Sequence, residues 1–484
     1  MPLSPAPSRP APRGVFRRKP VEELQREAGA RGGLRRVLGL GHLTAIGIGG
    51  IIGVGIFVLT GHVAATMAGP AVALSFVLAG IASGASALCY AEFSGLIPVS
   101  GSAYTYSYAV LGELPAWLIG WDLLLAYALI VAVVAGGWSG YVQALLATAG
   151  LHLPLWARGA WGSAPGHRFD VVAAAVALAI TALLSLRTEW GARFNSTIVV
   201  VKVLGVLLVI AVGAFYVHPS HWRPFMPFGF SGVLAGAAVV FFAVFGYDTL
   251  TTAAEEARDP QRDLPRAVVL SLAISMILYI AVCLVLTGMV PYGLLNNNAP
   301  VANAFGEIGV RWAMIVVAVA AIAGITSVLF AFLLAAARIA FALARDGFLP
   351  KWFAGVHPRH GTPHHATVLL GGLVAVVAGL FPITTVARLV NIGMLVVFIV
   401  VCSSVVVLRR RRPDLPRSFR VPGVPWVPAV GVIFSLALIA GLPPATDLVF
   451  LLWMLLGAAL YAVYGARRSA LALEASGERP PEGS

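Results

Sequence analysis

The chain has 484 residues, 59% of them hydrophobic and only 11% charged, and its mean hydropathy is +0.90. A soluble domain carries about 25% charged residues, so a water-exposed globule of this size is excluded and an all-α integral membrane protein is expected. The net charge of +13 does not point to nucleic acid. It is almost all arginine, placed in short polar segments between apolar runs, where basic residues set membrane topology.

In chain order, the first 36 residues are rich in proline and arginine and lack the apolar stretch of a cleavable signal. They read as a cytosolic tail with a short helical patch around Val21–Gln25. Twelve apolar runs follow, near 38–62, 70–97, 115–148, 170–187, 195–217, 231–256, 266–290, 312–344, 366–381, 385–408, 425–441 and 446–465. Most reach the roughly 20 residues that a 30 Å bilayer core requires; the ninth and eleventh are short. None shows the period-two alternation of a β-barrel strand. An even number of crossings puts both ends on one side. With that side cytoplasmic, 27 of the 33 basic residues fall inside and five outside, leaving Lys202 within a run. Both termini are therefore expected in the cytoplasm. Cys89, Cys283 and Cys402 all lie in apolar runs and read as packing residues.

The informative positions are those where the apolar pattern breaks. Eight glycines lie from Gly39 to Gly61, and Gly53-Val54-Gly55 falls mid-run. Unwound backbone at that depth is tolerated where it lines a cavity; close helix packing through small residues is the other reading. The sixth run is interrupted by Gly246-Tyr247-Asp248. Two glycine-interrupted runs at matching places in two halves point to an inverted-repeat transporter with a site at mid-membrane. The runs are five helices apart, an odd number, so the second set of five must run in the opposite sense to the first. Unpaired amides at such a break suit a carboxylate, and unpaired carbonyls suit an ammonium. Together they suit an α-amino acid.

Lys202 lies in the fifth run among valines and leucine. It sits near the limit for reaching the interface. The alternative is a buried amine, whose charged form burial disfavours, acting as a proton site. Asp248 is either functional or a satisfied structural carboxylate. Glu92, Asp122, Glu255, Glu256 and Arg338 lie toward the cytoplasmic ends of their runs, as interfacial charges or parts of an inner gate. His357, His360, His364 and His365 share a loop and do not read as a metal site. Gly-Lys-[Ser/Thr] after a glycine loop, His-Glu-x-x-His and Gly-x-Ser-x-Gly are all missing. An ATP-driven pump and a membrane enzyme are not expected.

An ordered set of motifs carries a family resemblance. It comprises Phe16-Arg17-Arg18-Lys19, the glycine-rich stretch Gly47 to Gly61, Cys89-Tyr90-Ala91-Glu92-Phe93, Pro98 to Tyr104, Gly137-Trp138-Ser139-Gly140-Tyr141, Ala253-Ala254-Glu255-Glu256 and Arg345 to Pro350. From about Phe16 to residue 466 the chain resembles bacterial members of the cationic amino acid transporter branch of the amino acid–polyamine–organocation superfamily. The resemblance implies a LeuT-type five-plus-five inverted repeat with 12 transmembrane helices. It divides the chain into a tail (1–36), helices one to five (37–217), six to ten (218–408), the last two with a basic loop before them (409–466), and a second tail (467–484).

By the same resemblance, the substrate carboxylate meets the amides of Val54 and Gly55, and its amino group the carbonyls of Ile51, Phe242, Ala243 and Phe245. Leu329 lies by the side-chain pocket. Lys202 takes the place of a bound sodium ion, with Asp248 and Ser327 in the proton-coupling set. No cofactor or metal is expected besides protons; the expected partners are the amino acid substrate and the lipid bilayer, with no nucleic acid and the oligomeric state open. Where many relatives carry a glutamate, Asp122-Leu123-Leu124-Leu125-Ala126-Tyr127 has Ala126. That departure and the apolar Leu329 favour neutral L-amino acids over arginine or lysine. The expected protein is a proton-coupled symporter of the plasma membrane. The alternatives are a cationic amino acid carrier, an uncoupled exchanger and a non-transporting sensor.

Overall fold

A computed structural model describes residues 16–30, 38–99, 101–186, 191–355 and 363–476. Among these residues the chain is helical, without strands; two isolated bridges are the only β-type pairings. The helices used below are α1 (Val21–Ala30), α2 (Leu40–Ile51), α3 (Val72–Leu96), α4 (Ser102–Val110), α5 (Glu113–Thr148), α6 (Val171–Leu186), α7 (Gly191–Gly213) and α8 (Gly229–Val240). They continue with α9 (Pro260–Met289), α10 (Pro300–Glu307), α11 (Arg311–Arg345), α12 (His364–Leu380), α13 (Ile383–Arg411), α14 (Trp426–Ala440) and α15 (Pro444–Leu460).

Eight helical stretches among the described residues are long and apolar enough to cross a membrane, judged by length and composition. Val171–Ser185, His364–Leu380 and Trp426–Ala440 are shorter apolar helices. The stretch Leu40–Leu96 contains two of the apolar runs. Gly69, with φ +61°, and Pro70 separate them. That backbone conformation costs glycine little and other residues more.

Burial orders the layers. The apolar window of α5 is 83% buried, whereas that of Pro444–Arg468 is 22% buried and that of Thr197–Tyr216 is 33% buried. α5 therefore runs through the middle of the molecule, against α11, α13 and α6. The last helices lie at the periphery, with Ile433, Leu452 and Val463 turned outward. Apolar side chains facing out suit a lipid surround, where no hydrophobic penalty attaches to them. The three cysteines are buried and unbridged.

The segment before the first apolar run is more than a tail where it is described. Val21 and Leu24 of α1 are buried, and Gln25 donates to the carbonyl of Leu96. Glu22 pairs with Arg412 at 2.7 Å. At the far end, the amide of Ala470 donates to the carbonyl of Asp346. Both terminal segments thus rest on the ends of the helix bundle.

Candidate functional site

The first glycine-rich run breaks where the pattern predicts. α2 stops at Ile51, and Ile52 turns extended with ψ 104°. A π-helical turn then resumes at Gly55–Leu59. The sixth run breaks too: α8 ends at Val240, a 3₁₀ turn covers Phe241–Ala243, Gly246 takes φ +117°, and a short helix restarts at Asp248–Thr251. A helix that stops leaves its last carbonyls without intrahelical partners, and one that restarts leaves its first amides so.

The two breaks touch, backbone against backbone. A Cβ on Gly50 would lie 2.6 Å from the carbonyl oxygen of Gly246, and one on Gly246 would lie 2.6 Å from the Gly50 carbonyl. A Cβ on Gly55 would overlap Ala243, and one on Gly137 of α5 would overlap Val54. Only hydrogen side chains let these segments meet.

A small cavity lies at this junction, lined by Gly50, Ile51, Gly53, Val54, Gly55, Ile130, Val134, Phe242, Phe245, Val328 and Phe332. The volume open to the centre of a water molecule is about 10 Å³, room for about one water. Its side chains are all apolar, so every polar group it offers is backbone. Ile51, Val54, Gly55, Phe242 and Phe245 thus line one cavity, and Ala243 touches Gly55 from behind. Leu329 lies on the same helix as two lining residues. It is buried but does not line this cavity; Val328 and Phe332 do. On a helix, positions four apart share a face and the next residue turns about 100° away.

Several backbone carbonyls at and beside the breaks already have side-chain partners. The Tyr279 hydroxyl of α9 donates to the carbonyl of Ile51 at 2.7 Å. Tyr141 donates to the carbonyl of Phe57 at 2.7 Å, and Ser83 to that of Val244. Asn391 of α13 donates to the Ala238 carbonyl at 2.7 Å. Sequence reasoning missed this ring of donors, because a tyrosine or serine inside an apolar run looks like packing. A carbonyl has two lone pairs, so Ile51 retains one for a further donor.

Lys202 lies fully buried beside the first break, its ammonium nowhere near solvent. Nζ donates to the carbonyls of Gly49 at 2.7 Å and Ile52 at 2.9 Å, and to Ser327 Oγ at 2.9 Å; Gly324 O is farther, at 3.4 Å. Ser327 gives its own proton to the Gly324 carbonyl at 2.8 Å, so its oxygen can only accept from the lysine. Three short acceptors require three N–H donors, which is the ammonium form. All four partners are neutral, and no carboxylate among the described residues pairs with it. The lysine therefore ties α2 and the break to α11 with its charge offset by dipoles alone.

Asp248 sits at the start of the second restart, fully buried. One carboxylate oxygen accepts from the Tyr127 hydroxyl of α5 and the other has no partner. Asp248 and Lys202 are thus held by different networks, one on α5 and one on α11.

The remaining charges divide. Glu92 is buried and holds Arg409 and Arg417, each through Nε at 3.0 Å, and the amide of Val421 at 2.8 Å. Glu256 pairs with Arg338 at 3.5 Å near the surface. Asp122 is not interfacial: it is fully buried, neither oxygen has a partner, and it abuts Gly393 of α13. The side chain of Glu255, and His357 and His360, lie outside the described residues. Among those described, no cluster of three metal-ligating side chains occurs.

Comparison with known proteins identifies the family. Residues 38–463 match the amino acid permease family. A methylthioribose transporter of Bacillus subtilis is 47% identical over 457 residues, covering 94% of this chain and 99% of the relative. A branched-chain amino acid permease of the same organism is 44% identical over 460 residues, with the same coverage. The human cationic amino acid transporter 4 is 39% identical over 408 residues, covering 83% of this chain and 64% of the relative. These relatives are named as transporters or permeases, not enzymes. With its apolar helices, paired breaks and family match, the chain is a multi-pass membrane protein that belongs to the amino acid permease family of the amino acid–polyamine–organocation superfamily.

Proposed function

We propose that the protein is a secondary active symporter that imports neutral L-amino acids by alternating access, driven by protons through Lys202. The observation that carries the substrate class is the composition of the cavity. Its side chains are Ile51, Val54, Ile130, Val134, Phe242, Phe245, Val328 and Phe332, with backbone amides and carbonyls as the polar groups. Backbone of both polarities suits a zwitterion. A guanidinium or ammonium on the substrate side chain would be buried without a counter-charge, at a cost of several kcal/mol. The cavity must widen to admit any amino acid, and a small side chain such as that of alanine needs the least widening. The relative named as a branched-chain permease fits the same apolar lining.

The proton enters the scheme through hydrogen-bond counting. An uncharged amine has two N–H groups and cannot satisfy Gly49, Ile52 and Ser327 at once. Loss of the proton loosens the tie between the first break and α11, and shifts the balance of outward- and inward-open states by the difference in its hold on each. The reading also takes twelve spans in a five-plus-five inverted repeat, both ends cytoplasmic, in the plasma membrane, with protons as the only coupling agent. The arginine distribution supports that orientation.

The relative named as a methylthioribose transporter suggests a second reading. Such a neutral thioether sugar suits the apolar wall but not the paired amide and carbonyl ends. The test is competition for labelled L-alanine uptake into proteoliposomes by L-leucine, L-arginine and methylthioribose. Inhibition by leucine with arginine without effect is expected. Strong inhibition by arginine overturns the neutral reading, and inhibition by methylthioribose alone selects the second.

A further inference from the structure

A second cleft lies beyond the end of α5, lined by Gln143, Leu146, Leu151, His152, Leu153 and Arg158 among others. It holds about 170 Å³ for water-sized centres, against roughly 10–15 Å³ for one water on that measure. Nothing in the transport scheme uses it.

Its cation is fixed and unpaired. Arg158 Nε donates to the carbonyl of Leu153 at 2.5 Å, and the Arg158 carbonyl accepts from Gln143 at 2.9 Å. Gln143 is braced in turn by Ser139 at 2.8 Å. Asp170, joined to this network through Ser139, is taken up by Ser139 and the amide of Ala173. No acidic group among the described residues pairs with Arg158. An arginine fork held at Nε leaves its terminal N–H groups for a planar or tetrahedral oxyanion.

The level and the rim identify the source of that oxyanion. From Val134, at the central cavity, α5 climbs about 14 Å to Gln143 and about 21 Å to Thr148. Half of a bilayer core is about 15 Å, and the polar zone extends to about 20–22 Å. The cleft therefore spans the layer where lipid phosphates lie. Leu151 at the cleft, and Leu155, Trp156 and Trp161 of the same loop, are all more than half exposed, the pattern of side chains that seat in the membrane interface. A soluble anion would not need that apolar rim.

We propose that this cleft binds the phosphodiester of an anionic phospholipid, with Arg158 and His152 on the phosphate and the rim on the glycerol and upper acyl chain. The depth assignment rests on placing the central cavity at mid-membrane, as the transport reading does; lipid binding itself does not depend on transport.

The test is native mass spectrometry of the full chain in detergent with added phosphatidylglycerol, run beside glycerol phosphate. Wild-type protein is expected to retain phosphatidylglycerol and not glycerol phosphate, and Arg158→Gln to weaken retention about tenfold, as loss of a charged hydrogen bond does. Equal retention by Arg158→Gln overturns the proposal. Arg158-dependent retention of glycerol phosphate overturns it as well, making the cleft a soluble-anion site. Should Arg158→Gln fail to fold, the double variant His152→Gln/Leu151→Gln, on exposed positions, is expected to weaken retention at least about threefold; unchanged retention overturns the proposal. Because none of these readouts involves flux, failure of the transport reading appears separately, as absent uptake.

Discussion

Lys202 and Gly324 pack so closely that a Cβ on the glycine would lie 2.7 Å from the Cβ of the lysine. The stem of Lys202 thus runs along bare backbone of α11 before its ammonium reaches Gly49, Ile52 and Ser327. Gly324→Ala should displace the lysine without removing any polar group. Uptake is expected to fall at least about fivefold while the protein still expresses, since overpacking costs about 1–3 kcal/mol. Wild-type uptake by this variant would mean that Lys202 tolerates displacement from the break.

Contact between the two broken helices gives a sharper steric test. A methyl at Gly55 would overlap Ala243, while one at Gly84 would meet nothing within 4 Å. Gly55→Ala should abolish uptake; Gly84→Ala should leave it within about twofold, as substitutions away from packed sites do. Both are read in the same proteoliposome assay with expression as control.

Tyr279 holds one lone pair of the Ile51 carbonyl, the group expected to receive the substrate ammonium. Tyr279→Phe removes only that bond. The KM for L-alanine should rise about three- to tenfold, the range of one ordinary hydrogen bond, with kcat little changed. An unaltered KM would separate Tyr279 from substrate binding.

Two ion pairs on opposite sides of a burial divide should differ in weight. Glu92 and Arg417 are each 3% exposed, whereas Arg412 and Glu22 are 41% and 45% exposed. Glu92→Gln removes the counter-charge of Arg417 and should cost about 3–5 kcal/mol, read as a marked fall in melting temperature. Glu22→Gln should cost at most about 1 kcal/mol. Similar melting temperatures would contradict this ranking.

Much of the site was legible because membranes penalise exceptions. Glycines at Gly53 and Gly246, and a lysine and an aspartate in apolar runs, are costly unless used, so their positions marked the breaks and the network around Lys202. The hydroxyl donors were hidden, because Tyr279, Tyr141 and Ser83 cost little in an apolar run whether or not they bind anything. Leu329 is buried on the same helix as Val328 and Phe332, which line the cavity where it does not, a distinction that depends on which face of the helix turns inward. Asp122 was read as interfacial from its place along the run, whereas the packing of α13 at Gly393 buries it. The terminal segment 16–25 read as a tail because Val21 and Leu24 are its few buried apolar residues, and its polar contacts through Glu22 and Gln25 leave no hydrophobic pattern in the sequence.

The most direct test of the account is labelled L-alanine uptake into proteoliposomes with and without an inward proton gradient, comparing wild type with Lys202→Ala and adding L-arginine as competitor. The account predicts that the gradient drives accumulation in the wild type, that arginine leaves it untouched, and that Lys202→Ala loses the response to the gradient. Full gradient-driven accumulation by Lys202→Ala would contradict it.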